Sequence, residues 1–342
     1  MNMRNSLSSN AALFAYHGTL IHSVSSQDIE IIEQGLLVVG NDGRILLLEG
    51  GIEQNKIDKV LADHDLSTCE VKKLSYGQFL IPGFVDTHNH APQWTQRGTG
   101  RGRLIMEWLN KITFPHEARF VDPEYARKTY ASCVDGFIRY VDSQYTVLKG
   151  YHYLPAVRQG ITTASYYGSL HGEATKILAE TCLEKGQRAY VGKCNMNINS
   201  PDFYKDASAD ESLDVTQDFI NHVCKLDPDH NLVTPILTPR FAVACDADVL
   251  SGLGKIAKAN PDLPIQTHFD ETEQEMEITK QMHPGFENEA DLYEYYGLLT
   301  ERSILAHCIY VNEYEMGRLK ALECGVAHCP VSVSHSCVQV HC

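Results

Sequence analysis

No run among the 342 residues approaches the ~20 apolar positions that a membrane span needs. The first ten residues, Met1 to Asn10, are polar, and the apolar stretch after them is broken by His17 and His22, so no secretory signal is expected. A basic excess is also lacking. The formal net charge is −15, which argues against nucleic acid or an anionic membrane as the main partner. Eleven cysteines are present without the spacing of a disulfide framework, which suits a reducing cytosol and a cytoplasmic protein. No glycine fingerprint for a dinucleotide and no Pro-Cys-x-x-Cys zinc motif occurs anywhere. What remains is ordinary for a soluble enzyme: 43% hydrophobic residues, 21% charged, enough chain for one large domain or two smaller ones.

Residues from about 11 to 80 read as short strands. Leu36–Val39 and Ile45–Leu48 flank Gly40-Asn41-Asp42-Gly43, and an Asp-Gly between apolar runs is a strong hairpin signal. Residues 1–78 are therefore expected to form a small β domain of sandwich type. From Phe79 the pattern becomes strand, helix, strand. Strands are expected at 160–164, 188–191, 233–237, 265–268, 303–307 and 326–329, with helices at 174–185, 210–224, 249–259, 291–296 and 313–324. Repeated βα units predict an α/β fold, a (β/α)8 barrel of which residues 79–330 are expected to form an incomplete part, lacking its C-terminal strands; an open doubly wound sheet is the alternative.

Chemistry concentrates at the strand ends. Phe79, Leu80, Ile81, Phe84 and Val85 read as a buried strand running into His88 and His90. Side chains alternate along a strand, so these two imidazoles share a side, as a divalent metal requires. Later strands end in His268, His307 and His328, with Glu271 three residues after His268. Barrel active sites lie at the carboxyl ends of strands. His88, His90 and His268 or His307 could hold zinc or iron and leave a position for a water made nucleophilic near neutral pH. Glu271 is placed to carry a proton to a leaving amine.

Pro82-Gly83-Phe84-Val85-Asp86-Thr87-His88-Asn89-His90-Ala91-Pro92-Gln93 resembles the opening metal motif of the amidohydrolase superfamily, and within it the guanine deaminase family. Trp108-Leu109, Thr113-Phe114-Pro115-x-Glu117, Gly186 to Lys193, Thr238-Pro239-Arg240-Phe241, His268-x-x-Glu271, Ala306-His307-Cys308 and Ala327-His328-Cys329-Pro330 are similar to that family's later segments. The resemblance covers most of residues 79–330. It implies one zinc held by His88, His90, His268 and His307, with Glu271 as proton shuttle. It also implies that Gln93, Arg240, Phe241 and His268 bind the substrate guanine, which water would convert at C2 to xanthine and ammonia. Homodimers are common in the family. An aminotriazine- or cytosine-type amidohydrolase is a second reading, and a purine-binding pseudoenzyme a third.

Two departures qualify the resemblance. Residues 138–156, rich in tyrosine and without helical period, read as an insertion. After Pro330 the match stops: 331–342 reads as a non-family tail, and no Asp or Glu follows Glu323 to serve as the family's metal-binding aspartate on a later strand. A chain ending there is expected to be weakly active or inactive. Other signals are set aside. His171-Gly172-Glu173 copies half of another zinc deaminase motif and is read as a loop or helix-start residue. Gly186 to Lys193 has the wrong spacing for a phosphate loop. Gly98 to Arg103 reads as a flexible loop at the active-site mouth. His328, Cys329, His335, Cys337, His341 and Cys342 match no zinc knuckle.

Overall fold

The computed structural model describes residues 12–66, 69–100, 102–138 and 159–329. The expected insertion, apart from Ile138, and the expected tail lie outside the described residues. The chain divides into two compact units, 1–83 and 84–342.

In the first unit β1 (Ala12–Ser23) pairs antiparallel with β2 (Ile29–Gly40), which pairs antiparallel with β3 (Ile45–Glu49). The β2–β3 connection is the turn read from Asp-Gly: Gly43 donates to the Gly40 carbonyl at 2.9 Å and takes φ +78°, open to glycine without strain. Helix α1 (Ile57–Asp63) follows, unanticipated from sequence, and its Ile57 and Leu61 pack against Ala15, Leu36, Val38 and Leu47. The short strands β4 (Val71–Lys73) and β5 (Phe79–Leu80) then add to β1. Among the described residues this unit is one sheet, its apolar face covered by a helix rather than by a second sheet.

The strand expected from Phe79 is split. Phe79–Leu80 belongs to the first sheet, and β6 (Phe84–His90) begins after Pro82-Gly83. Proline cannot donate to a ladder, so a break there is the natural outcome. Nor is the start of β6 buried: Phe84 and Val85 are 57% and 62% exposed, because β6 pairs only with β7 (Ile161–Tyr167) among the described residues.

Before β7 come α2 (Ile105–Trp108), α3 (Phe114–Glu117) and α4 (Pro123–Ile138). After it, α5 (Gly172–Lys185) leads to β8 (Arg188–Gly192) and β9 (Cys194–Asn195), and α6 (Ala209–Leu226) to β10 (Val233–Pro235) and β11 (Thr238–Pro239). Then α7 (Ala247–Ala259), β12 (Ile265–Phe269), α8 (Glu273–Met282), α9 (Glu289–Tyr295), β13 (Ser303–His307), α10 (Glu313–Ala321) and β14 (Gly325–Ala327) complete the described chain. All pairings among the described strands of this second unit are parallel. β6, β7, β8 and β10 lie side by side in chain order, β9 pairs with β11, a bridge from Leu237 to Ile265 reaches β12, and β13 and β14 follow. This is the sequential order of a barrel, not the reversed order of a doubly wound sheet.

Local sequence fixes the helix starts. Side chains of Ser208, Asp246, Thr272 and Asn288 cap α6, α7, α8 and α9, and Asn312 with Glu315 forms a full capping box on α10. His171 sits immediately before α5, the helix-start position read from sequence. Gly192 allows the end of β8 and the chain after β10 to approach: a Cβ there would lie 2.4 Å from the Ile236 carbonyl oxygen. Apolar residues of α4, α5, α6, β7 and β8 form one core cluster, and those of α7, α9, β12 and β13 another.

Candidate active site

His88 and His90 leave β6 on the same side, as alternation requires, with ring centroids 5.0 Å apart. A register irregularity between Asp86 and Asn89 shapes this strand end, and Asp86 ties it: its carboxylate accepts from the His88 amide at 3.1 Å and the Asn89 amide group at 2.9 Å. His268 arrives from β12 and His307 from β13. Their centroids lie 4.8 and 5.1 Å from that of His88. The backbone at the ends of β12 and β13 is unusual. Asp270, His307 and Cys308 all have positive φ, +45°, +75° and +50°, a region that costs a non-glycine residue about 1–3 kcal/mol. The bend is held by three bonds, from Cys308 N–H to the Phe269 carbonyl and from Ile309 and Tyr310 N–H to the Asp270 carbonyl, all 2.9–3.1 Å. Strain at this point turns the chain sharply where His307 enters the cavity.

The histidines suit a cation. The His268 Nδ1–H donates to the Arg240 carbonyl at 2.5 Å, so its Nε2 carries a free lone pair, and that Nε2 faces the His90 Nε2 at 2.9 Å. Either a proton or a metal must lie between two such nitrogens. The Nδ1 atoms of His88, His90 and His307 are buried with no partner among the described residues. Burial, then the neighbouring imidazoles, holds His88, His90 and His268 well below the ordinary imidazole range, and burial followed by His328 pushes His307 down to about 4. Neutral imidazoles are the form that binds metal. Donor atoms of His88, His90 and His268 lie within 4.8 Å of one another, as do those of His268, Glu271 and His307. In a tetrahedral zinc site two imidazole nitrogens lie about 3.4 Å apart, so these donors are close enough to converge on one ion through side-chain adjustment. The residues fit a divalent metal.

Glu271 follows β12, with Oε2 3.5 Å from the His307 Nε2. Burial raises its carboxyl to about 7 against the opposing pull of Arg240, in the range where a group can both take and give a proton near neutrality. A cavity of about 240 Å³ is lined by the four histidines, Glu271, Gln93, Arg240 and Phe241, so every residue selected from sequence meets in one place. The volume is below the roughly 300–1,000 Å³ of drug-sized pockets and suits a compact heterocycle. Ile105, Met106, Trp108 and Leu109 add an apolar wall.

Two participants escaped the sequence reading. Glu117, quoted only as part of a motif, is fully buried at the end of α3. Arg240 donates to both its oxygens, at 2.6 and 3.2 Å, Gln93 Nε2 to one at 3.0 Å, and Tyr204 O–H to the other at 2.8 Å. The arginine is 2% exposed, and much of its donor capacity goes to this carboxylate. Only the Pro-x-Glu spacing after Thr113-Phe114 hinted at it. Tyr167, at the end of β7, packs its ring 4.7 and 4.6 Å from those of His88 and His90, and its buried hydroxyl has no partner among the described residues. Nothing in the sequence separated it from the other tyrosines.

Behind Glu271, Glu275 accepts from the Glu271 amide at 3.0 Å and Glu289 from the Asp270 amide at 3.1 Å, both carboxyls buried. Burial and then Glu271 push Glu275 from an ordinary 4.5 to about 8, and burial and then Glu275 raise Glu289 well above its usual range. An acid raised on folding keeps its proton in the folded chain where the unfolded chain has lost it. That stability is fully present below pH 4.5 and is lost as pH climbs toward about 8. Denaturant unfolding between about pH 5 and 8.5 is expected to give a falling free energy, and Glu275→Gln a flatter profile. A profile that rises in this window and is unmoved by the substitution would contradict these assignments.

A sequential parallel array, β6 to β14 among the described residues, with histidines at its carboxyl ends defines a metal-dependent hydrolase of the barrel class. The model of the amidohydrolase family matches residues 79–341. A probable guanine deaminase of Schizosaccharomyces pombe is 39% identical over 317 residues, 93% of this chain and 56% of the relative. The guanine deaminase of Dictyostelium discoideum is 33% identical over 95% of this chain and 68% of its own length. Among solved structures, guanine deaminase from C. acetobutylicum with bound guanine superposes with a TM-score of 0.80 at 28% identity, covering 94% of this chain and 68% of that one. The chain thus spans 56% of the first relative and about two thirds of the others, and it belongs to the amidohydrolase family.

Proposed function

We propose that the site deaminates guanine hydrolytically to xanthine and ammonia. What carries the reading is the convergence of Gln93, Arg240 and Phe241 on the cavity that holds the four histidines and Glu271. It is supported by relatives that carry the guanine deaminase name and by the neighbour solved with guanine bound.

His88, His90, His268 and His307 would hold the metal, for which zinc is the proposal because neutral imidazoles and a water suit it. A divalent metal there supplies Lewis acidity that brings the pKa of a water toward neutrality. The chain's own groups do the rest. Phe241 offers an aromatic wall, its ring 6.2 Å from that of His268, and the purine face would lie along it. Gln93 keeps its carbonyl oxygen for the ring edge, since its amide nitrogen is bound to Glu117. Arg240, fixed by the same carboxylate, presents a positive charge at the cavity wall. Glu271, held beside His307, would take a proton and return it to the departing nitrogen. The apolar wall of Ile105, Met106, Trp108 and Leu109 would keep bulk water out. Cytosolic placement is part of the proposal and rests on the free state of the nine cysteines among the described residues. Homodimer formation is carried over from the family resemblance.

The test uses purified chain supplied with zinc and incubated separately with guanine, cytosine and adenine, with ammonia release followed. Release from guanine, abolished by a chelator and restored by zinc, is the expected result. Release from cytosine or adenine and not from guanine would replace this reading with that of another aminohydrolase.

A further inference from the structure

We propose that Cys329 is a ligand of the metal centre in this chain. From sequence alone, Cys329 stands in a segment similar to the family's and in a terminal string matching no zinc knuckle, and has no assigned role. Its position in the fold is different from what that string implies. It stands two residues beyond β14, and its side chain lines the cavity with His88 and His307. The donor atoms of His88, His307 and Cys329 all lie within 4.8 Å of one another, the same closeness as in the all-histidine set. An independent observation marks a ligand at this point: among the described residues the Nδ1 atoms of His88 and His307 are buried without partners. The Cys329 Sγ beside them lies 3.4 Å from the Ala327 carbonyl.

Charge favours the thiolate. Imidazoles are neutral, so a divalent cation held by histidines alone keeps its full charge among partly and fully buried side chains, which is costly. No aspartate belongs to the candidate ligand sets among the described residues, and Glu271 is the only carboxylate in them. A thiolate at Cys329 would cancel half the cation's charge. It is also a soft donor well matched to zinc or cobalt. As the sulfur–metal bond forms, the S–H bond breaks and its proton passes to solvent.

The inference rests on the metal-binding reading of the histidines, not on guanine as substrate, and the experiment separates the two. Cobalt(II) is added to the full chain and to Cys329→Ser, with bound metal counted by equilibrium dialysis and spectra recorded. The parent protein should bind one cobalt and show a near-ultraviolet sulfur-to-cobalt charge-transfer band. Cys329→Ser should lose the band, keep the visible ligand-field bands of a nitrogen-bound ion, and bind about 10–100-fold more weakly. Zinc should protect Cys329 from iodoacetamide in the parent. Stoichiometric cobalt without the band, or the band surviving in Cys329→Ser, overturns the assignment while leaving the histidine site standing. Failure of both proteins to bind cobalt overturns the metal centre and this inference with it.

Discussion

Glu117→Ala is expected to lower the unfolding free energy by about 3–5 kcal/mol, the usual penalty for leaving one member of a buried ion pair alone. The magnitude follows from the surroundings. Arg240 and Glu117 are both buried, bonded at 2.6 and 3.2 Å, and Arg240 lies in the protein interior with no other carboxylate on its guanidinium among the described residues. Removing the carboxylate also strands the Tyr204 hydroxyl and the Gln93 amide. Denaturant unfolding measures the loss. Glu117→Gln keeps the shape but cannot neutralise the arginine, so it should recover only part of the stability. In a deamination assay the same variant should raise KM more than it lowers kcat, because it disturbs two groups that would hold the substrate rather than the group that moves protons. A loss below about 1 kcal/mol for Glu117→Ala would mean that water replaces the carboxylate and that the pair is not the organiser described above.

For Glu271→Gln the expected result is a fall in kcat of roughly 10²- to 10⁴-fold, the usual contribution of a positioned acid–base group. Bound metal should remain near the parent level, since the amide keeps the size of the side chain and the imidazoles are untouched. Stability should change little or rise, because the substitution removes an acid raised by burial beside Glu275. Measuring metal content and kcat on the same preparation separates proton transfer from metal loss. If activity and metal fall together, Glu271 belongs with the ligands; its presence in a set with His268 and His307 makes that the informative alternative.

Legibility differed sharply among the parts of the site. His88 and His90 were readable because a strand period of two places them on one side, whatever the rest of the fold does. His268 and His307 were readable because each closes a short apolar run, and runs of that kind become buried parallel strands. Glu271 was readable from its offset to His268. The break at Pro82-Gly83 could have been anticipated from proline's missing donor, yet the apolar run on both sides concealed it. Helix α1 was missed because a seven-residue element lies among strands and carries few periodic positions.

The amino-acid sequence by itself determined the βα alternation, the hairpin at Gly40 to Gly43 and the choice of five candidate metal-binding and proton-transfer residues. All of these depend on periods and offsets within one short segment. Tertiary structure alone decided the partners of Arg240, the place of Tyr167 and the neighbours of Cys329. Glu117 lies 123 residues from Arg240 along the chain, and Cys329 reaches His88 only when β14 stands next to β13. Such pairings are products of strand order and burial. A buried charge must find its counterpart wherever the folded chain brings one, and no local pattern records which residue that will be.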